Sequence, residues 1–592
     1  MNKAGMDTHR APARPSGGWL PLGAGLVAFF VFTGSVPARG QGTATPGYTG
    51  RPGESRPELL ETPPSGSAPK LALPPPPPAE DRRGAALAKS VFVREITVTG
   101  STVFSAEEIA AVTRPYEGRD LTMEDLEALR RALTLLYVNR GYVNSGAVIP
   151  DQAVVDGRVT LEIVEGRLAS IEVAGNRWFA DSYLRKRIAL GAAPPVSVYR
   201  LQERLQLLQQ DPRIRTLQAE LKPGAVPGES ALNVAVAEAP PRSVTLAFNN
   251  YQSPSIGAER GLATLAHQNL TGHGDILSFT YGYSEGLNPL IDTWYALPLN
   301  AHDTTLLLRY EKNDADVVDD VFGPLDIVSK TDSYEVTLRQ PVYRSLAQEF
   351  ALSLSAGRER NRTYLLDEPF SFAQGAEDGR SLVVPVRFAQ EWTYRTQRQA
   401  VAANSRFSFG LDAFGATHHD QGGMPDGQFV AWLGQVQWAR ILALWDTQLL
   451  ARADLQRASR PLLPVEQIGV GGRYTVRGYR ENLLVRDQAF LASLESRIPL
   501  LQNLRWADYL QVCQFVDYGS ATNVEEDTTS GPPDLASVGL GLRWAATPLR
   551  APFELRTDAE VYWGYPLNDV DHSHEDLQDE GIHFQFAVTG AF

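Results

Sequence analysis

Residues 582–592, IHFQFAVTGAF, decide the fold of this chain because apolar and polar side chains alternate along them. Successive side chains of a β-strand point to opposite faces, so residues two apart share a face. One face is apolar and aromatic, with Ile582, Phe584, Phe586, Val588 and the last residue, Phe592. The other face is polar or small, with His583, Gln585, Ala587, Thr589 and Ala591. A strand that separates lipid from a wet lumen needs this pattern, so the segment predicts a membrane β-barrel.

The same alternation recurs upstream, for example in residues 275–283, DILSFTYGY. Strand centres are predicted near residues 246, 263, 279, 294, 307, 335, 352, 387, 405, 433, 449, 493, 513, 540, 558 and 587. Bacterial single-chain barrels have an even number of strands, and about 350 residues suffice for strands of about 10 residues with their connections. We therefore predict a closed barrel of 16 antiparallel strands over residues 241–592.

The composition of the 592 residues agrees with a barrel and excludes several other classes of protein. Lys and Arg number 55 against 69 Asp and Glu, so the net charge of −14 argues against a general nucleic-acid binder. The mean hydropathy of −0.22 excludes a protein with many membrane helices, but not a barrel, in which only alternate residues meet lipid. The single cysteine, Cys513, excludes an intrachain disulfide and a Cys-rich metal site.

The first residues indicate export from the cytoplasm. Basic Lys3, Arg10 and Arg14 precede the apolar run 20–32, which is short for a membrane helix. Residues 1–40 are therefore predicted to be a secretory signal peptide, with an uncleaved anchor as the alternative. Residues 41–88 form a proline-rich linker, in which a packed core is not expected. This linker is either a spacer, in the periplasm or within a pore, or a disordered tail.

Two small α/β modules follow the linker, over residues 89–166 and 167–240. In each, the patterns predict the order strand, helix, helix, strand, strand. The strongest helix, about 122–139, begins at Thr122 with Asp125 three residues on, which is typical of a capped N-terminus. A topology repeated after about 75 residues indicates two copies of one domain.

The modules resemble the two polypeptide-transport-associated (POTRA) domains of two-partner secretion transporters. The resemblance rests on the segments 137–143 (YVNRGYV), 149–152 (IPDQ), 156–159 (DGRV), 164–166 (VEG), 174–176 (AGN) and 221–224 (LKPG). The motif residues are Gly141, Tyr142, Pro150, Gln152, Gly157, Gly166, Gly175 and Asn176. The resemblance implies periplasmic domains that capture an unfolded exoprotein, partly by β-augmentation, in which an extended chain joins an open sheet edge. Two purely structural spacers are the alternative.

A long connection between the predicted eleventh and twelfth strands, residues 458–486, contains the segment 469–479, GVGGRYTVRGY. Its Val476, Arg477, Gly478 and Tyr479 resemble the signature of the superfamily of outer-membrane insertases and two-partner secretion transporters, in which this loop folds back into the barrel. Residues 515–519, FVDYG, resemble the second motif of that superfamily, with Phe515, Asp517 and Gly519 on the face predicted to line the lumen. The resemblance implies that Arg477 pairs with Asp517 and locks the loop inside.

The whole pattern resembles the haemolysin secretion/activation family of two-partner secretion transporters. It implies an outer-membrane protein, with its N-terminal domains in the periplasm, that threads a haemolysin-, haemagglutinin- or adhesin-like exoprotein outward without ATP, enzymatic activity or a cofactor. The implied partners are that exoprotein with its N-terminal secretion domain, outer-membrane lipid and the barrel-assembly machinery, which reads a terminal residue such as Phe592. No nucleic-acid partner is expected.

Three alternatives remain open at the level of sequence. The first is an insertase for other barrel proteins, which shares the Arg-Gly-Tyr loop, and the second is a passive porin or receptor. The third concerns metal binding by His418, His419 and Asp420 or by residues 572–575, for which solvated loops are the favoured interpretation because neither group offers a full ligand set. No convincing N-terminal plug helix is visible.

Overall fold

The computed structural model describes residues 70–72, 90–319, 322–420, 423–525, 532–550, 553–568, 570 and 576–592. The predicted signal peptide, 1–40, and most of the predicted linker, 41–88, lie outside these residues, as do His572 and His574. None of the helices in the described part of the chain is long and apolar enough to cross a membrane.

The first module has a three-stranded sheet with two helices against it. Strand β3 is parallel to β6, and β5 is antiparallel to β6. The elements are β2 (Val91–Val93), β3 (Glu95–Thr99), α1 (Ala106–Thr113), a 3-10 turn (Arg114–Tyr116), β4 (Arg119–Leu121), α2 (Met123–Asn139), β5 (Gly146–Val148) and β6 (Arg158–Val164). Helix α2 begins as predicted, because the Thr122 hydroxyl accepts from the Asp125 backbone N–H and the Asp125 carboxylate accepts from the Thr122 N–H.

The second module repeats this topology. Strand β7 is parallel to β9, and β8 is antiparallel to β9, so the order and the directions match those of the first module. The elements are β7 (Arg167–Ala174), α3 (Asp181–Ala189), α4 (Val198–Gln209), β8 (Ile214–Pro223) and β9 (Glu229–Glu238). Leu184, Ile188, Leu201 and Leu205 are fully buried between the two helices and the sheet.

One short strand was not expected from the sequence. Residues Lys70–Ala72 form β1, which pairs in parallel with residues 218–220 of β8 at the edge of the second sheet. A strand of three residues is too short to show alternation, and it lies in the segment that composition marks as a linker.

Sixteen long antiparallel strands close into a barrel in the described residues, which confirms the predicted fold. They are β10 (Arg242–Asn249), β11 (Arg260–His267), β12 (Ile276–Tyr283), β13 (Leu287–Pro298), β14 (Thr305–Asp316), β15 (Ile327–Arg344), β16 (Gln348–Leu365), β19 (Pro385–Arg395), β20 (Gln399–Gly410), β21 (Val430–Ile441), β22 (Gln448–Ala458), β25 (Gln488–Leu504), β26 (Ala507–Thr522), β27 (Asp534–Arg550), β28 (Glu554–Pro566) and β29 (Ile582–Ala591). Short elements lie in the connections: 3-10 turns Pro254–Ile256 and Gly323–Leu325, and strands β17 (Glu368–Pro369), β18 (Arg380–Val383), β23 (Ile468–Val470) and β24 (Leu484–Arg486).

The barrel closes by pairing of its first and last strands. The paired residues run from Ser243 opposite Ala591 to Asn249 opposite Gln585. Side chains alternate across the wall as predicted. On β26, for example, Asp517 is buried, whereas Val516 and Tyr518 are 45% and 39% exposed on the outer face.

The second module is attached to the turns at one end of the barrel. The guanidinium of Arg213 donates to the Gly274 carbonyl at 2.5 Å and to the carboxylate of Asp211. Arg187 donates to Asp303 at 2.6 Å and lies over the ring of Tyr183. Burial raises the pKa of Tyr183 to about 12. Burial alone would lower the pKa of Arg213, but Asp211, Tyr183 and Asp303 together outweigh it and the pKa is raised, so the arginine stays charged.

Candidate functional site: the inward loop

The connection between β22 and β25, residues 459–487, folds into the barrel, and we call it the inward loop. Strands β23 and β24 form a small antiparallel hairpin inside it, an element that the sequence did not indicate. Val470, Val476 and Tyr479 are buried beside Leu491 of β25 and Leu535 of β27. The loop therefore occupies the lumen rather than the cell surface.

Glycines allow the tight turns at the tip of the inward loop. Gly471, Gly472 and Gly478 have φ values of 107°, 101° and 95°, in the region that favours glycine. A Cβ at Gly478 would lie 2.9 Å from the backbone of Gly564 on β28. The Thr475 hydroxyl accepts from the Gly471 N–H at 2.8 Å and closes the turn. The Arg-Gly-Tyr segment is thereby presented to the barrel wall.

The structure brings Arg477 and Asp517 together. The Arg477 Nε and Nη2 atoms donate to the two carboxylate oxygens of Asp517 at 2.7 and 2.9 Å. The backbone N–H of Arg477 also donates to Asp517, at 3.1 Å. Both side chains are almost fully buried, at 3% and 1% exposure. This planar, two-bond contact requires a guanidinium, because an ammonium group cannot reproduce its geometry.

Three further residues surround the guanidinium of Arg477. Its Nη1 donates to Glu495 of β25 at 2.5 Å, and its Nη2 donates to the Ser493 hydroxyl at 3.2 Å. The Phe515 ring lies 3.7 Å from the guanidinium carbon, which is cation–π distance. Sequence reasoning missed Glu495 and Ser493. The sequence does place both residues at lumen-facing positions of β25, the strand that pairs with β26 and therefore lies beside Asp517. A charged and a polar side chain at such positions could have indicated a contact with the loop.

The third residue of the predicted lumen motif, Gly519, makes room for the loop. A Cβ at this position would lie 2.7 Å from Val470 and 2.8 Å from Val476, both on the inward loop. Gly519 thus allows the apolar part of the loop to lie against β26.

The tip also contacts the strands on the far side of Asp517. The Tyr479 hydroxyl donates to the Ala536 carbonyl at 2.8 Å. Arg473 donates to Glu560 of β28 at 2.9 and 3.0 Å, and Arg480 pairs with Asp579. Sequence reasoning singled out neither Arg473 nor Arg480.

The residues that carry the predicted resemblance to POTRA domains have local roles in the structure. Gln152 bonds to both the N–H and the carbonyl of Thr160, at 2.8 and 2.7 Å, and so pairs the chain before β6 with that strand. Gly157 and Gly175 occupy turns with φ values of 71° and 86°, and Asn176 donates to the Phe179 carbonyl at the start of α3.

Two other motif glycines join the modules. The Gly166 carbonyl accepts from the Val196 N–H at 2.9 Å, and the Gly141 carbonyl accepts from the Val198 N–H at 2.9 Å. Tyr142 and Pro150 are half-buried in the first module. These contacts define turns and the junction, and an exoprotein contact for these residues stays a prediction.

The remaining candidates lie apart from the loop tip. Phe592 is 49% exposed, and its ring stacks on Phe553 at the rim of the barrel nearest the modules. Cys513 is a buried free thiol on β26. His418 lies 3.7 Å from Asp426, and no group of three metal-ligating side chains occurs within the described ranges.

Family models match both parts of the chain. Residues 228–544 match the model described as "Haemolysin secretion/activation protein ShlB/FhaC/HecB", and residues 91–166 match "POTRA domain, ShlB-type". The Outer membrane transporter CdiB of Escherichia coli is 24% identical over 402 residues, 66% of this chain and 66% of that protein. The Hemolysin transporter protein ShlB of Serratia marcescens is 28% identical over 187 residues, 31% of this chain and 32% of that protein. The chain thus spans slightly less than two thirds of the curated CdiB relative.

Two solved structures share the fold. CdiB from Escherichia coli superposes with a TM-score of 0.63 at 20% identity, covering 87% of this chain and 92% of that chain. CdiB from Acinetobacter baumannii superposes with a TM-score of 0.57 at 17% identity, covering 87% and 93%.

Proposed function

The chain belongs to the haemolysin secretion/activation family of outer-membrane transporters, and on that premise we propose that it exports a partner exoprotein from the periplasm to the cell surface. The barrel lies in the outer membrane and the two modules lie in the periplasm. The exoprotein is a large haemolysin-, haemagglutinin- or adhesin-like chain with an N-terminal secretion domain.

One observation carries this proposal: a polar loop is held by buried ion pairs inside a barrel whose wall is closed. The inward loop is attached to the wall by several side-chain contacts, among them those of Arg477 with Asp517 and Glu495, and its release requires that these contacts break. A passive porin needs an open lumen, whereas a gated pore for one substrate needs an obstacle that the substrate can move.

The seam between β10 and β29 favours passage through the lumen over lateral release into the membrane. Its ladder is continuous, and the Thr245 and Thr589 hydroxyls are hydrogen-bonded at 2.9 Å across it. Beyond the ladder, Asn250 donates to the Ile582 carbonyl at 2.8 Å, and Gln578 donates to the Asn250 carbonyl at 2.6 Å. A lateral exit would have to break all of these bonds.

The modules are proposed to receive the unfolded exoprotein at their sheet edges. An edge strand offers unpaired N–H and C=O groups to an extended chain. Strand β8 already accepts β1 of this same chain in parallel, so its edge has the geometry for β-augmentation. Folding of the exoprotein at the cell surface is proposed to give the transport its direction without ATP.

A deletion strain tests the proposal. Loss of one secreted protein from the medium, restored by the wild-type gene, is the expected result, and a gene for that protein beside this one would identify it. A broad loss of other barrel proteins would indicate an insertase instead. Solute flux through the purified barrel in liposomes, at rates typical of porins and without a partner, would indicate a porin.

A further inference from the structure

A second group of buried charges attaches the inward loop at a different place. Arg387 of β19 donates at 2.6 Å to Glu466, in the part of the loop before β23, residues 459–467, which we call the first arm. It also donates to Glu359 of β16 at 2.9 Å and to Glu335 of β15 at 3.3 Å. Arg387, Glu335 and Glu466 are each 5% exposed. One arginine thus joins three carboxylates, of which only Glu466 belongs to the loop.

The Glu466 attachment and the contact made by Arg473 lie on opposite walls of the barrel, and the Arg477–Asp517 pair lies between them, on β26, the thirteenth strand. Counted from β10 around the closed ring of sixteen, β19 is the eighth strand and β28 is the fifteenth. Glu466 contacts β19, and Arg473 contacts Glu560 on β28. These two loop residues are seven positions apart, so the chain between them spans at most about 23 Å. The segment between them therefore runs across the lumen, from the side of β19 towards the side of β28.

Apolar contacts extend the attachment at Glu466. Leu462 and Leu463 of the first arm are fully buried against Val383 and Phe429 on the same side of the barrel as Arg387. The first arm is thus seated against β19 and its neighbours, whereas Arg477 is held on β26, five strands farther around the ring.

We propose that Glu466 and Arg387 form a second attachment of the inward loop, and that the lumen opens fully only when this attachment and the Arg477–Asp517 pair are both released. This inference rests on the proposed function and adds positioning residues to it. The attachment is suited to release because Arg387 keeps Glu335 and Glu359 when Glu466 leaves. Breaking a buried pair is most destabilising when it leaves an uncompensated charge, which here it does not.

The test measures loop exposure directly in a protein whose single cysteine, Cys513, is replaced by Ala. Val465→Cys then reports the first arm through its rate of labelling by a membrane-impermeant maleimide in proteoliposomes. Glu466→Gln keeps the size of the side chain and removes its charge. We expect it to raise the labelling rate about tenfold, equivalent to about 1.4 kcal/mol, and Glu466→Asp to give an intermediate rate.

The matched control is Glu391→Gln, on the same strand and the same face as Arg387. Glu391 accepts from Arg339 at 2.7 Å and from Ser353 at 2.6 Å, both on barrel strands, so this variant loses a comparable lumen ion pair and should label at the parent rate. In planar bilayers, the double variant Glu466→Gln, Arg477→Ala should raise the conductance by more than the sum of the increases caused by the two single substitutions.

Three results would overturn the second attachment. These are a parent-like labelling rate for Glu466→Gln, an equal increase for Glu391→Gln, or failure of both Glu466 variants to assemble a heat-modifiable barrel. Neither labelling nor conductance needs an exoprotein. If the wild-type chain secretes nothing while Glu466→Gln still exposes the arm, the proposed function fails and the second attachment stands.

Discussion

The contact between Arg477 and Asp517 depends on the shape of a guanidinium as much as on its charge. Arg477→Ala removes every bond to Asp517 except that of the backbone N–H, and Arg477→Lys keeps the charge but loses the parallel pair of bonds. We expect secretion to fall about tenfold or more for Ala and nearly as far for Lys, because charged hydrogen bonds each contribute about 1.5–3 kcal/mol. Exoprotein in the medium is the measurement.

The barrel itself should assemble in both Arg477 variants, since no barrel strand loses its ladder. Heat-modifiable migration on gels checks this. Arg457→Ala, which removes an exposed arginine bonded to Gln488 at the outer end of β22, serves as the control and should secrete normally. Normal secretion by Arg477→Ala would contradict the role proposed for the Arg477–Asp517 pair.

The position of the inward loop also depends on a glycine at residue 519. Gly519→Ala places a methyl group 2.7 Å from Val470 and 2.8 Å from Val476, so the loop must move away from β26. We expect faster labelling of a cysteine placed in the loop and impaired secretion. Gly261→Ala on β11 is the matched control, because a Cβ there meets nothing within 4 Å. Equal labelling in the two variants would show that the contact is unimportant.

Between elements, the junction of the second module with the barrel should be insensitive to pH over the neutral range. Arg213 stays charged, and Tyr183, with its pKa raised to about 12, stays protonated. A raised folded-state pKa means that the stability from Tyr183 is present below its unfolded value of about 10 and is lost as the pH rises through 12.

Limited proteolysis between β9 and β10 measures how firmly the module is docked. We expect a constant cleavage rate between about pH 6 and pH 9 and faster cleavage above about pH 10. Arg213→Met should cleave faster at every pH, because it leaves the Gly274 carbonyl without its donor. A change in the cleavage rate of the wild-type protein between about pH 6 and pH 9 would show that other titratable groups control the docking of the module.

Elements with long periodic patterns could be predicted from sequence, and those defined by tertiary contacts could not. Helix α2 follows from its capped start and strand β29 from its alternation, and each of the sixteen predicted strand centres lies within an observed barrel strand. Strand β1 and the β23–β24 hairpin have three residues per strand, so each exists only because a partner lies beside it.

The same division applies to the site. Arg477 and Asp517 belong to motifs that can be recognised in sequence. Glu495 and Arg387 are ordinary charged residues of lumen-facing positions, and Glu466 is a loop carboxylate. These residues matter because of where the order of strands in the barrel places them. Arg387 and Glu466, for example, are 79 positions apart in the chain and are in contact in the structure.

At the scale of the whole molecule, the closed wall predicts that the exoprotein passes through the lumen and not through an opened seam. Thr245 and Thr589 face each other across the seam with their hydroxyl oxygens 2.9 Å apart, which suits an engineered disulfide. In the Cys513→Ala background, Thr245→Cys with Thr589→Cys should therefore cross-link β10 to β29. Secretion should be the same before and after reduction.

A second pair of threonines supplies the control for this cross-link. Thr264 and Thr280 have their hydroxyls at the same 2.9 Å separation, but between β11 and β12, away from the seam. If transport needs the seam to open, the oxidised seam variant loses secretion and regains it with a reductant, while the oxidised Thr264→Cys, Thr280→Cys variant secretes throughout. Equal secretion by both oxidised variants is the expected result, because a chain that moves along the lumen displaces only the inward loop and leaves every strand ladder of the wall intact.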